Sequence, residues 1–131
     1  MKQDIEIPSV EKVYVAAIYE WNDEFRVHDW NAYIINENNF ALETILVVSR
    51  GFDSKRTTST MRHSVKVLPA KSYAKIELLQ PEILKLNNEF SVSFFAEGKL
   101  LHKKFLFPKN SIKESNLKEI PVVLQQGILA K

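Results

Sequence analysis

The residues of this sequence best suited to a binding function are basic side chains with aromatic neighbours. Basic groups neutralise phosphates, and an exposed aromatic ring beside them can stack on a base of single-stranded nucleic acid. They fall in two stretches, residues 50–66 and residues 102–104. The candidate residues are Arg50, Phe52, Lys55, Arg56, Arg62, Lys66, His102, Lys103 and Lys104. If the strands carrying both stretches lie together in the fold, these side chains form one basic surface.

Patterns for catalysis and metal binding are missing from the sequence. The histidines His28, His63 and His102 are far apart, and there is no cysteine to supply a thiolate ligand. The three glycines are isolated, so they cannot form a phosphate-binding loop. Acids flank the tryptophans in residues 21–30, but acids beside a strand turn are ordinary solvated groups. We therefore expect no enzymatic activity, no metal and no cofactor.

Length and charge distribution bound the remaining possibilities. A chain of 131 residues is expected to form one domain, which buries about two-thirds of its unfolded surface. The N-terminal residues have no apolar run of secretory length, and no window approaches a membrane span of roughly 18 apolar residues, which predicts a cytoplasmic protein. Residues 1–44 carry three bases and nine acids, a balance of −6, whereas residues 45–131 carry fifteen bases and seven acids, a balance of +8. Such a dipolar surface can orient a partner, including another copy of the chain.

Alternating apolar and polar residues, rich in β-branched and aromatic types, predict seven strands before residue 108. The expected strands cover residues 13–21, 25–36, 42–50, 61–67, 73–78, 89–97 and 99–107. Residues 80–86 predict one short helical turn, since Pro81 suits a first helical position. The polar, Asn-rich connection over residues 37–41 is of a kind that tolerates positive φ.

The second and third strands are expected at the centre of the fold. Residues 30–36 and 44–49 are largely apolar at both alternating positions, which predicts cover on both faces. In the fifth strand, the alternation predicts that Ala74, Ile76 and Leu78 point inward. The side chains expected to be most buried are Trp30, Ile34, Leu46, Val48, Ile76, Phe90, Val92 and Phe94.

Seven or eight short strands at regular spacing predict an antiparallel, immunoglobulin-like β-sandwich with one short helical turn. A small OB-like β-barrel is the alternative. Residues 1–10 are expected to form an extended arm. The tail, residues 108–131, is expected to dock, because residues 117–131 contain seven large apolar side chains. Pro121 prevents one continuous helix there, so the tail should run extended along its own sandwich or along a neighbouring copy.

Five stretches spread over nearly the whole chain carry a family resemblance. They are residues 30–36 (WNAYIIN), 61–63 (MRH), 74–77 (AKIE), 95–99 (FAEGK) and 127–131 (GILAK). They resemble a small family of uncharacterised bacterial β-sandwich proteins, some of which carry the name of the phenylalanyl-tRNA synthetase α subunit. A class II synthetase core needs a far longer chain and arginine-bearing motifs around ATP, so synthetase activity is not expected here. The resemblance implies no catalytic or binding residue.

Two functional hypotheses follow from these observations. The first is a non-catalytic interaction module that binds a protein partner or associates with itself as a homodimer. The second is a nucleic-acid-binding β domain that uses the basic surface. A gel shift at low salt separates them, because phosphate contacts are strongest there.

Overall fold

The computed structural model describes residues 10–131, so nearly all of the arm expected over residues 1–10 lies outside the described residues. The described chain forms nine antiparallel strands. In chain order they are β1 (Val13–Asn22), β2 (Val27–Asn36), β3 (Leu42–Phe52), β4 (Met61–Leu68), β5 (Ser72–Leu79), β6 (Asn87–Ala96), β7 (Lys99–Phe107), β8 (Lys118–Glu119) and β9 (Gln126–Leu129). The first seven match the predicted strands to within a few residues.

The strands divide between two sheets. One sheet has the order β5-β2-β1-β9-β8, and the other has the order β4-β3-β6-β7. Strand β5 therefore returns to β2, and β6 returns to β3, which is the Greek-key connectivity of immunoglobulin-like domains. The predicted sandwich is confirmed. The alternative of a small barrel is wrong, because the strands form two facing sheets instead of one closed sheet.

Among residues 10–131, helical structure is confined to short 3-10 turns. The turn Pro81–Ile83 lies where one was predicted, and a second turn, Glu114–Asn116, lies in the tail. The tail also supplies the short strands β8 and β9, which raise the count above the predicted seven or eight. Within residues 10–131, no helix has the length and apolar character required to cross a membrane.

The core between the sheets contains most of the residues expected there. Trp30, Ile34, Ile76, Phe90, Val92 and Phe94 are all buried. The predictions for Leu46 and Val48 are wrong, because Leu46 is 41% exposed and Val48 is only half-buried. Thr44 has a φ of 49° at a bulge in the β3–β6 pairing, and this places Ile45 and Val47 inward instead. Without the bulge, alternation from buried Leu42 would have turned Leu46 and Val48 into the core.

A second bulge changes the inward side of β5. Ala32 pairs with Glu77 and Tyr33 with Lys75, so Ile76 is the extra residue. The bulge turns Glu77 toward the interior together with its partner Ala32. The prediction that Leu78 points into the core is therefore wrong: Leu78 is exposed, and Leu79 is buried instead.

The tail covers the β1 and β2 part of the outer face of the β5-β2-β1-β9-β8 sheet. Ile120 and Val123 pack on Ala16, Ile18 and Ile35 in a second apolar cluster. The tail therefore docks on its own sandwich. It explains why β2 is buried on both faces, as its apolar pattern predicts.

The end of the tail also joins the two sheets. Strand β9 pairs with β1, and Gly127 packs so closely against the Ala17 carbonyl and the Ile18 side chain that a Cβ atom would clash. Beyond β9, the Lys131 backbone exchanges hydrogen bonds of 2.8 and 3.1 Å with Leu106 on β7. Backbone hydrogen bonds at the end of the tail thus connect β1 of one sheet to β7 of the other.

Candidate functional site

The outer surface of the β4-β3-β6-β7 sheet, called the open face below, is not covered by the tail. Alternation from the buried inner residues assigns three or four side chains per strand to it. The open face consists of Leu46, Val48 and Arg50 on β3, Arg62, Ser64 and Lys66 on β4, Glu89, Ser91, Ser93 and Phe95 on β6, and Leu100, His102, Lys104 and Leu106 on β7. The expectation that β3 is covered on both faces is therefore wrong.

The open face unites five of the nine candidate binding residues. They are Arg50, Arg62, Lys66, His102 and Lys104. The pairing register sets their spacing: Val48 lies opposite Arg62 on one side and Ser91 on the other, and Ser91 lies opposite Lys104. In the neighbouring row, the Ser93 hydroxyl and His102 Nδ1 are 2.9 Å apart. The two separate stretches of basic sequence thus meet on one sheet surface.

The other four candidate residues lie at the border of the open face or away from it. Phe52 is half-buried at the end of β3, where the Arg50 guanidinium carbon lies 4.7 Å from its ring centre. Lys55 and Arg56 belong to the turn beyond it. Lys103 points to the opposite side of β7, with its Nζ 5.0 Å from the ring centre of buried Phe105. Lys103 therefore covers the rim of the core.

Asp53 organises the turn that carries Lys55 and Arg56. One carboxylate oxygen accepts the backbone N–H groups of Lys55 and Arg56, at 2.8 and 2.9 Å. These hydrogen bonds, together with the charge of Arg56, hold the pKa of Asp53 below its ordinary value. The Arg56 side chain pairs with the same carboxylate at 3.4 Å. Its charge is thus locally compensated.

The free positive charge of the open face is concentrated at β4. Glu89 pairs with Arg50 at 3.0 Å and with Lys104 at 3.6 Å, which compensates part of the charge on β3 and β7. Arg62 and Lys66 have no ion-pair partner in the part of the chain that the structure describes. These two side chains can therefore attract an acidic group from outside.

Exposed apolar side chains lie between the charges, and the sequence analysis missed them. Leu46 is 41% exposed, Phe95 42% and Leu100 63%, and Phe95 is paired directly with Leu100. The adjacent pair Leu100 and Leu101 could have indicated an exposed leucine, because neighbours in a strand point to opposite faces and only one of the two can face the core. For Leu46 there was no such signal, because the bulge at Thr44 reverses the alternation.

A cleft opens at the side of the sandwich where the edge strands β4 and β5 face each other. This edge cleft has a volume of about 440 Å³, and its wall includes Ser49, Met61, Glu77 and Asn88. The Ser49 hydroxyl donates to Glu77 Oε1 at 2.6 Å. His63 Nε2 lies 3.3 Å from the same oxygen, but without hydrogen-bond geometry.

The Ser49, His63 and Glu77 side chains do not form a nucleophilic triad. In such a triad the histidine lies between serine and acid, takes the serine proton and is held by the acid. Here the hydroxyl of Ser49 is bound to the carboxylate of Glu77 itself. The arrangement holds a negative charge in place. Across residues 10–131, no cluster of three or more histidine and acidic side chains is suited to hold a metal ion.

The tip of the β1–β2 hairpin, residues 20–29, forms an acidic and aromatic surface. Trp21 is 51% exposed and Phe25 70% exposed. Asp23 accepts the indole N–H of Trp21 at 2.7 Å, and His28 stacks on Tyr19 with ring centres 4.8 Å apart. Much of the negative charge of the first 44 residues is therefore displayed beside apolar groups.

The described chain is thus an immunoglobulin-like sandwich with three exposed features: the open face, the edge cleft and the hairpin tip. No protein-family model, curated protein or solved structure matches it.

Proposed function

We propose that the protein is a non-catalytic interaction module that binds an acidic protein surface through its open face. The observation that supports this is the position of exposed Leu46 and Leu100 among the basic side chains Arg62, Lys66 and Lys104 on one sheet surface. Exposed apolar groups rimmed by charge are characteristic of protein-binding surfaces. We further propose that it acts in the cytoplasm, consistent with its lack of cysteine.

The chemistry of the open face defines the partner. Leu46, Phe95 and Leu100 favour an apolar contact that excludes water. Arg62 and Lys66 favour carboxylates at the edge of that contact, where they speed encounter and fix orientation. The expected partner therefore carries an apolar patch bordered by Asp or Glu.

A second copy of the chain offers such a patch. The hairpin tip carries Asp23, Glu24 and Asp29 beside exposed Trp21 and Phe25. Contact between this tip and the open face of another copy would join two different surfaces, a heterologous arrangement. Self-association by this route should weaken with added salt, because opposite charges drive it.

Single-stranded nucleic acid is the second candidate ligand, because five basic or histidine side chains converge on the open face. Stacking of bases needs exposed aromatic rings. Phe95 is exposed there, whereas Phe52 is half-buried and contacts Arg50. A low-salt gel shift with single- and double-stranded oligonucleotides tests this candidate, and the absence of retention would eliminate it.

The test of the proposed function is affinity capture from the host, with nuclease treatment in parallel. The test variant is Lys66→Glu on the open face, and the matched control is Lys75→Glu, an exposed lysine on the other sheet. We expect the wild type and the control to retain the same nuclease-resistant protein, or a second copy, and Lys66→Glu to lose it. Equal capture by all three would contradict the proposal.

A further inference from the structure

We propose that the edge cleft binds a small organic cation, a primary ammonium or guanidinium group on an apolar body, with the carboxylate of Glu77 as its anchor. This site shares Arg50 with the border of the open face, but its anchor Glu77 lies on the other sheet, and it does not depend on the function proposed for that face.

The inward position of Glu77 is a built feature of β5. The bulge at Ile76 turns a residue that regular alternation would place in solvent toward the gap between the sheets. Only 10% of the Glu77 side chain remains exposed. Enclosing a carboxylate is costly unless a partner compensates its charge, and bulges are frequent where a strand aims a side chain into a site.

The protein itself compensates the negative charge of Glu77 only in part. Glu77 Oε1 accepts the Ser49 hydroxyl, whereas Oε2 has no hydrogen-bond partner among residues 10–131 and is not sequestered from solvent. His63 Nε2 approaches Oε1 without forming a hydrogen bond. Arg50 also lines the cleft, but its guanidinium group is paired with Glu89. An incoming N–H donor with positive charge can therefore bind Oε2 directly.

The rest of the cleft suits the apolar body of such a ligand. Phe90, Ile83 and Met61 contribute to the wall, and the volume of about 440 Å³ is typical of small-molecule sites. The wall is also preformed. Asn88 donates through Nδ2 to the carbonyls of Ile83 and Leu86, at 2.8 and 3.1 Å, which fixes the turn that borders the cleft.

The test uses 2-phenylethylammonium as the probe, and amide NMR of the full chain follows its binding. We expect saturable shifts at Ser49, Met61 and Glu77. Neutral 2-phenylethanol, which has the same ring, should bind about tenfold more weakly or worse, because it lacks the charge-assisted hydrogen bond. Equal binding of the alcohol, or shifts confined to residues outside the cleft, would overturn the proposal.

Variants assign the binding to the carboxylate. Glu77→Gln keeps an acceptor for Ser49 but removes the charge, and should raise the Kd of the ammonium probe about tenfold or more. The matched control, Glu82→Gln, removes an exposed charge near the cleft and should leave the Kd unchanged. If Glu77→Gln fails to fold, Ser59→Trp serves as the test variant. Ser59 is an exposed residue of the cleft wall, and the indole should prevent the probe from entering the cleft. Binding that persists in the folded variant of either kind would refute the proposal.

Discussion

Single residues decide which side chains of this sandwich reach solvent. Thr44 and Ile76 each mark a β-bulge, and each bulge reverses the alternation of the strand beyond it. The first exposes Leu46 on the open face, and the second brings Glu77 to the edge cleft. The open face and the edge cleft therefore each depend on one inserted residue in a strand.

The contrast between Ile34 and Leu46 gives the first prediction. Ile34 is fully buried, so Ile34→Ala should lower the free energy of unfolding by roughly 2–5 kcal/mol through lost transfer energy and a cavity. Leu46→Ala, the control on the open face, should cost less than about 1 kcal/mol. Denaturant melts measure both values. Equal losses would mean that the inward side of one strand is assigned wrongly.

Asn36 gives a second prediction at this scale. Its buried side-chain amide donates to the carbonyls of Phe40, Leu68 and Pro69, and its oxygen accepts the N–H of Asn38. Asn36→Ala leaves these groups unpaired and should cost about 1–3 kcal/mol or more. Asn39→Ala, at an exposed neighbour, should be nearly neutral in the same thermal melts. A neutral Asn36→Ala would contradict this role.

Among the elements, the tail stabilises the sheet that it covers. Gly127→Val should force β9 away from Ala17 and Ile18 and should lower the melting temperature, at a cost of about 1–3 kcal/mol from overpacking. Gln126→Val, at the exposed neighbouring position, is the control.

Deleting residues 117–131 should lower the melting temperature further or cause aggregation, because Ala16, Ile18 and Ile35 become exposed. An unchanged melt and solution mass of the truncated chain would refute this.

The turn after β3 gives a pH-dependent prediction. The pKa of Asp53 is lower in the folded chain than its ordinary value of 3.8. The Asp53 carboxylate therefore stabilises the turn at pH values above 3.8, and this stabilisation is lost as the pH falls through the pKa of the folded chain. The amide NMR signals of Lys55 and Arg56 should move together in that acidic range. Asp53→Asn should abolish this transition and accelerate tryptic cleavage at Lys55 or Arg56, the internal sites expected to be cut first. Earlier cleavage within β2 or β3 would contradict this.

At the scale of the whole molecule, the sequence predicts the strands well and their surfaces only partly. Alternation locates β1 to β7, and Greek-key connectivity brings β4, β3, β6 and β7 together, so the two basic stretches meet. Adjacent Lys103 and Lys104 had to face opposite sides, which could have removed Lys103 from the candidates. The bulge at Thr44 could not be predicted, because this residue adopts a positive φ that a β-branched residue rarely takes. The bulge at Ile76 interrupts the regular alternation of Ala74, Ile76 and Leu78, which gives no sign of it.

The Asn-rich connection shows a similar limit. The connection over residues 37–41 was predicted to be of a kind that tolerates positive φ, but none of these residues adopts a positive φ. The side-chain amide of Asn38 instead donates to the backbone carbonyl of Glu11 and to the side-chain oxygen of Asn36. Composition indicated a turn correctly, but long-range hydrogen bonds decide how the turn is stabilised.

The central claim, that the open face is the binding surface, is tested most directly by methyl NMR of the labelled protein with its captured partner, or at rising concentration of its own chain. We predict that the methyl signals of Leu46, Val48 and Leu100 shift or broaden, while those of Ile35 under the tail and Ile120 in the tail stay unchanged. Perturbation of the tail side with no change at Leu46 and Leu100 would contradict the claim.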